Sequence, residues 1–139
     1  MRIFIQIVLF CAFLVQAQGQ ESNIWYFGYK SGLDFNNNPP TPLLDCNLYF
    51  TEGCASIADK QGNLLFYTDG VEIRNKNHDL MENGTKLHGH TSTTQSALII
   101  PYPMKDDLYI VFTLKAEDTR GLKYSVVDIS ANGGLGKVT

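Results

Sequence analysis

What most constrains this chain is the shortness of its apolar runs. From Asn23 onward each run of aliphatic and aromatic residues lasts only a few positions and is closed by Gly, Pro, Asn or Asp. No window of about 11 residues repeats its apolar positions at intervals of three and four, as a helix packed on a core requires. The runs are instead rich in aromatic and β-branched residues, which suit a pleated, half-buried surface. They predict strands at 24–29, 48–51, 55–58, 64–68, 71–75, 97–100, 108–113 and 123–129, with a last one beginning at Lys137. Turn chemistry separates them, with Asp59, Lys60, Gln61, Gly62 and Asn63 forming one hairpin loop and Asp69 and Gly70 another. The expected class is all-β with almost no helix. Alternation and central position within the runs assign Trp25, Phe27, Phe66, Ile99, Ile110 and Val126 to the core.

Two stretches resemble each other. Residues 55–75 and 97–129 each read as a strand, a polar turn, an aromatic strand ending in threonine (Thr68 and Thr113) and a third strand. An all-strand repeat of about 40 to 50 residues is the signature of propeller blades. Blades stack in a ring of at least about four, so residues 18–139 are expected to be an incomplete set, truncated at the C-terminal side. The strand that starts at Lys137 and stops at Thr139 agrees with that expectation. The alternative is a β-sandwich, whose strands recur at similar spacing.

The N-terminus carries a different signal. Met1 and Arg2 precede an apolar stretch from Ile3 to Val15, interrupted only by Gln6, and Val15 and Ala17 are small residues placed for cleavage before Gln18. Residues 1–17 read as a secretory signal peptide. The stretch is too short for a membrane crossing, which takes about 20 residues, and Cys11 lacks the small residues that precede a lipidated cysteine. No transmembrane segment is expected after cleavage. Arg2 leaves with the signal, which takes the net charge of the chain from −3 to about −4. No run of Lys or Arg offers a surface for nucleic acid or anionic lipid.

Export leaves Cys46 and Cys54 in an oxidising compartment. They read either as a candidate disulfide closing a loop around Leu48, Tyr49 and Phe50, or as a loop cysteine and a small buried hydrophobe.

No catalytic constellation emerges. Asp34, Asn36, Asn38 and Asp45 have the oxygen spacing of a calcium loop, but Pro39 stands where an EF-hand needs glycine. His78, His88 and His90 match no zinc spacing, and no metal or cofactor is expected. The run 91–96 has hydroxyls but no nucleophile elbow, and Gly133, Gly134 and Gly136 precede no helix that could hold a phosphate. Asn83, Gly84 and Thr85 fit a glycosylation acceptor and read as a turn. Asp34, Asp45, Glu52, Asp59, Asp69 and Glu72 are the carboxylates from which a glycosidase pair would have to come, yet Asp59 and Asp69 sit where turns favour Asp for backbone bonds.

The segments NIWYFGYKSGLDFN, EGCASIADKQGNLLFYTDGVEIRNKNH, MENGTKL, TQSALIIPYP and GLKYSVVDISANGGLGKV span nearly all of the chain after the signal. Together it resembles the N-terminal regions of large secreted Bacteroidetes proteins that end in a type IX secretion sorting domain of the gliding-motility kind, often with PKD domains between. The resemblance implies a propeller-like β-domain, secreted or held at the outer cell surface through the type IX machinery, with adhesion or binding of a surface polysaccharide or protein as its expected role. Cys46 departs from the family by standing where its Leu-x-Asp-Gly turn has glycine. The expected function is therefore non-catalytic recognition, with a secreted glycoside hydrolase as the rival.

Overall fold

The structure is a computed structural model and describes residues 19–116 and 121–139. The signal-peptide reading of residues 1–17 lies outside the described residues. Among the described residues no helix is long and apolar enough to cross a membrane.

The described residues are all-β, built as three antiparallel meanders. The first sheet holds β1 (Ile24–Phe27), β2 (Ser31–Asp34) and β3 (Thr41–Leu43), and the second β4 (Ala55–Ala58), β5 (Leu64–Thr68) and β6 (Ile73–Asn75). The third holds β7 (Ala97–Pro101), β8 (Leu108–Thr113), β9 (Lys123–Asp128) and β10 (Lys137–Val138), in that order across the sheet. Among the described residues the one helical segment, α1 (Ala131–Gly134), is a single turn with left-handed φ at Asn132 and Gly133.

The turns form as their residues dictate. The Asp59 carboxylate accepts the N–H groups of Gln61 and Asn63 at 2.8 and 2.9 Å, folding β4 back onto β5. Asp69 accepts those of Val71 and Glu72, both at 2.8 Å, and turns β5 into β6. Gly70 beside it has φ +87°, and a Cβ there would collide with the Ser96 side chain.

The middle sheet is covered on both faces. Ile57, Phe66 and Ile73 pack with Met81, Tyr109, Val111, Val127 and Val138 against the third sheet. Ala58 and Tyr67, the neighbours of Ile57 and Phe66 in sequence, point the other way and pack with Ile24, Tyr26, Cys46, Leu48 and Phe50 against the first. Burial on both sides is why residues 64–68 form a continuous apolar run rather than an alternating one. At the outer edge Leu80 bridges Arg74 of the second sheet and Glu82 bridges Lys137 of the third, which inserts Met81 into the core between them.

The first strands of the meanders lie side by side. The Gly53 N–H donates to the Thr93 carbonyl at 3.2 Å where β4 and β7 begin, and Lys60 meets Asp106 at 3.2 Å beyond their far ends, so the two strands run parallel. β1 runs opposite to β4: Ala58 N–H reaches the Glu21 carbonyl at one end and Cys54 Sγ the Tyr26 carbonyl at the other.

Several expectations are corrected. Residues 48–51 form no strand: Cys46, Leu48 and Phe50 are buried in alternation, but the ladder contact of the stretch is the single bridge from Tyr49 to Tyr29. β2 and β3 were not expected, because Ser31, Gly32, Thr41 and Pro42 give little apolar signal. Of the six core assignments Phe66 is fully buried, while Ile99, Ile110 and Val126 are half-buried. Trp25 and Phe27 are exposed, at 51% and 38%. In β1 and β8 the residues of the other parity, Ile24, Tyr26, Tyr109 and Val111, are the ones inside. The repeat is also qualified. Phe66 and Val111, which an offset of 45 equates, face each other in one core instead of pointing the same way around a ring.

Candidate functional site

The sequence-derived candidates do not converge. Asp34 accepts the Asn36 N–H at 2.8 Å in a local turn, while Asp45 binds Tyr26 elsewhere, so the calcium-like spacing is not gathered. His90 Nδ1 accepts the Ser92 N–H at 3.1 Å, and His88 is exposed. Among the described residues no three His, Cys, Asp or Glu side chains are grouped to hold a metal ion. Glu72 pairs with Arg74, and Asp59 and Asp69 serve their turns. In the run 91–96, Thr93 Oγ1 accepts the Ala116 N–H, and the Ser96 hydroxyl is buried without a hydrogen-bond partner.

Cys46 and Cys54 are free thiols. Both belong to the core between the first two sheets, Cys46 buried and Cys54 packed against it. Burial pushes both thiols above the ordinary range, which disfavours the thiolate. Native protein at pH 8 should therefore react with Ellman's reagent far more slowly than the same protein in guanidinium chloride. Rapid stoichiometric labelling of both thiols before unfolding contradicts this burial.

One polar cluster does assemble, and the sequence did not reveal it. Tyr26 Oη donates to Asp45 Oδ1 at 2.8 Å, and Asp45 Oδ2 lies 3.4 Å from His78 Nε2. His78 Nδ1 is 3.3 Å from Tyr67 Oη, which accepts the Asn47 N–H at 3.0 Å. With that N–H on its oxygen, Tyr67 gives its proton to Nδ1, and the imidazole proton on Nε2 faces the carboxylate. Every donor then has an acceptor. The chain of contacts has the order of a catalytic relay with its two phenols inside, Tyr67 fully buried and Tyr26 nearly so, while the Asp45 carboxylate stands about half in solvent, at 53%. Burial raises both phenols far above their ordinary range, and for Tyr26 the Asp45 carboxylate adds to the effect. It is a polar strut joining the 44–49 loop, β1, β5 and the turn after β6.

The exposed chemistry is aromatic and lies on the first sheet. Trp25 and Phe27 project from the outer face of β1, and Phe35 follows β2 on the same side. The Trp25 indole N–H donates to the Ser22 carbonyl at 2.7 Å, and its ring meets Phe35 at 5.0 Å between centroids. Beyond Phe27 the chain turns at Gly28 (φ +58°) and presents Tyr29, 75% exposed, against Tyr49 at 4.5 Å. Lys30 Nζ stands 5.3 Å from the Tyr49 ring centre. A groove of about 240 Å³ lies along β1 and β4, lined by Ser22, Trp25, Phe27, Cys54, Ala55 and Ser56. Ser56 Oγ ties the strands together, donating to the Ile24 carbonyl at 2.7 Å and accepting the Tyr26 N–H.

At the far side of the stack, Leu98, Phe112, Leu114 and Leu122 line an apolar groove of about 390 Å³ on the outer face of the third sheet.

No protein family, curated protein or solved structure matches this chain.

Proposed function

We propose that this chain is an exported, non-catalytic recognition module whose second and third meanders are neighbouring blades of a β-propeller-like domain. The observation that carries the recognition reading is a division of labour among its side chains. Asp34, Asp59, Asp69 and His90 serve local turns, Glu72 pairs with Arg74, and Asp45 and His78 are tied to the buried Tyr26 and Tyr67 hydroxyls. Large aromatic rings meanwhile stand in solvent on the first sheet, an arrangement that marks binding surfaces. The resemblance of residues 23–139 to type IX-exported surface proteins supplies the route to the cell surface and the class of ligand, a polysaccharide or a protein.

Meander order and the parallel placement of β4 and β7 support the blade reading. A sandwich is the second reading. It is favoured by Phe66 and Val111 facing one another and by the edge closed through Met81.

The function is tested by presenting the exported protein to an array of polysaccharides and surface proteins while assaying reducing ends. Binding with no release of reducing ends is expected. Saccharide turnover makes the chain a glycoside hydrolase instead, and an array without any bound partner removes the recognition reading.

A further inference from the structure

We infer that the aromatic row of the first sheet is a binding surface for an extended, β-linked polysaccharide whose sugar rings stack on Trp25 and Phe27. The inference rests on the recognition reading and names its site and ligand class.

Three observations carry it. Trp25 and Phe27 alternate on one strand, so both side chains leave the same face about 6.8 Å apart, close enough for one extended oligosaccharide to lie across both. Trp25 is held in place before any ligand arrives, its N–H on the Ser22 carbonyl and its ring against Phe35, so stacking on it costs little side-chain entropy. Polar groups flank the row. Ser22 and Ser56 line the adjoining groove, and half-buried Asn23 and exposed Asn36, joined at 3.0 Å, lie near its start. An aromatic surface with a few placed polar groups is the usual make-up of a small-ligand site.

The shape of the row selects the linkage. Pyranoses joined through equatorial β-bonds form flat, extended chains that offer axial C–H groups to an aromatic face, which matches a straight strand. An α-linked glucan coils and cannot keep consecutive rings against Trp25 and Phe27. The Tyr29–Tyr49 pair beyond Phe27, with Lys30 over Tyr49, continues the aromatic surface past the turn.

Trp25 is the only tryptophan in the chain, so intrinsic fluorescence reports on this site alone. Titrating the exported protein with cellohexaose and xylohexaose should give a saturable change in Trp25 emission, and maltohexaose should give none. On an insoluble β-glucan column, Trp25→Ala should lose at least about tenfold in retention, equivalent to about 1.4 kcal/mol. Tyr124→Ala, an exposed aromatic on the third sheet, should bind as the native protein does. Retention on β-glucan with unchanged Trp25 emission and undiminished binding by Trp25→Ala overturns this site and leaves the recognition reading standing. Sugar-independent quenching that grows with protein concentration and accompanies dimers overturns it too, since the row is then a protein interface. Silence toward every hexaose overturns the saccharide assignment, and the recognition reading falls with it only if the array of polysaccharides and proteins is also blank.

Discussion

Phe66→Ala is expected to destabilise the fold by about 3–5 kcal/mol, the range for removing a buried aromatic side chain. Phe66 is fully buried on the central strand of the middle sheet and meets Tyr109 edge to face at 5.6 Å, so its ring spans the space between the second and third sheets. Backbone on one side and a neighbouring sheet on the other restrict collapse around the deleted ring, and a site that cannot collapse pays the full cavity term. The whole stability of a small domain is about 5–15 kcal/mol, so the variant is expected to melt far below the native protein or to be largely unfolded at 37 °C. Thermal unfolding followed by circular dichroism measures this, and a loss under about 1 kcal/mol contradicts the packing described. The native melt also bears on architecture. A monodisperse monomer with one sharp transition favours the sandwich reading, because it closes its own core, whereas self-association or a broad melt agrees with blades whose apolar outer face at Leu98, Phe112, Leu114 and Leu122 needs a neighbour.

Alkaline unfolding is the second large effect. Tyr26 and Tyr67 stack at 4.7 Å within the core between the first two sheets, and burial holds both phenols well above the ordinary value of about 10. Tyr109, in the other core, is raised by burial as well. A phenol whose folded pKa is raised contributes stability that is fully present below the unfolded pKa. As pH climbs past about 10, the unfolded chain releases protons that the folded chain keeps, and stability falls by up to about 1.4 kcal/mol per pH unit for each such tyrosine. With Tyr26 and Tyr67 titrating together, two pH units above that point are worth several kcal/mol. Absorbance at 295 nm and circular dichroism should therefore change together for these residues, their ionisation accompanying unfolding. Full ionisation of all seven tyrosines at pH 10 to 11 in a chain that keeps its native dichroism contradicts the assignment. Tyr67→Phe separates the two contributions. It removes one titrating group and flattens the alkaline limb, while leaving the Asn47 N–H and His78 Nδ1 without their common partner and lowering stability at neutral pH by about 1–3 kcal/mol.

The apolar strands of the second and third sheets and the two aspartate turns were legible in the residues because their signals are local. The Asp59 and Asp69 turns form through carboxylate contacts two to four residues away, and the runs 55–58, 64–68 and 108–113 became strands with the bounds expected of them. What the residues alone left undecided was which side of each strand faces inward. Period-two alternation defines two faces and does not say which one meets a neighbour, so Trp25 and Phe27 read as core when Ile24 and Tyr26 are the buried pair. Apolarity misled in the same way at the polar cluster. Tyr26 and Tyr67 are buried because Asp45, Asn47 and His78, distant in sequence, satisfy their hydroxyls. β2 and β3 depend on pairing with β1 and not on their own composition. The class of fold thus followed from short-range chemistry. The inward faces, the polar strut and the exposed aromatic row were decided only when the three sheets packed, since burial is a property of the neighbour as much as of the residue.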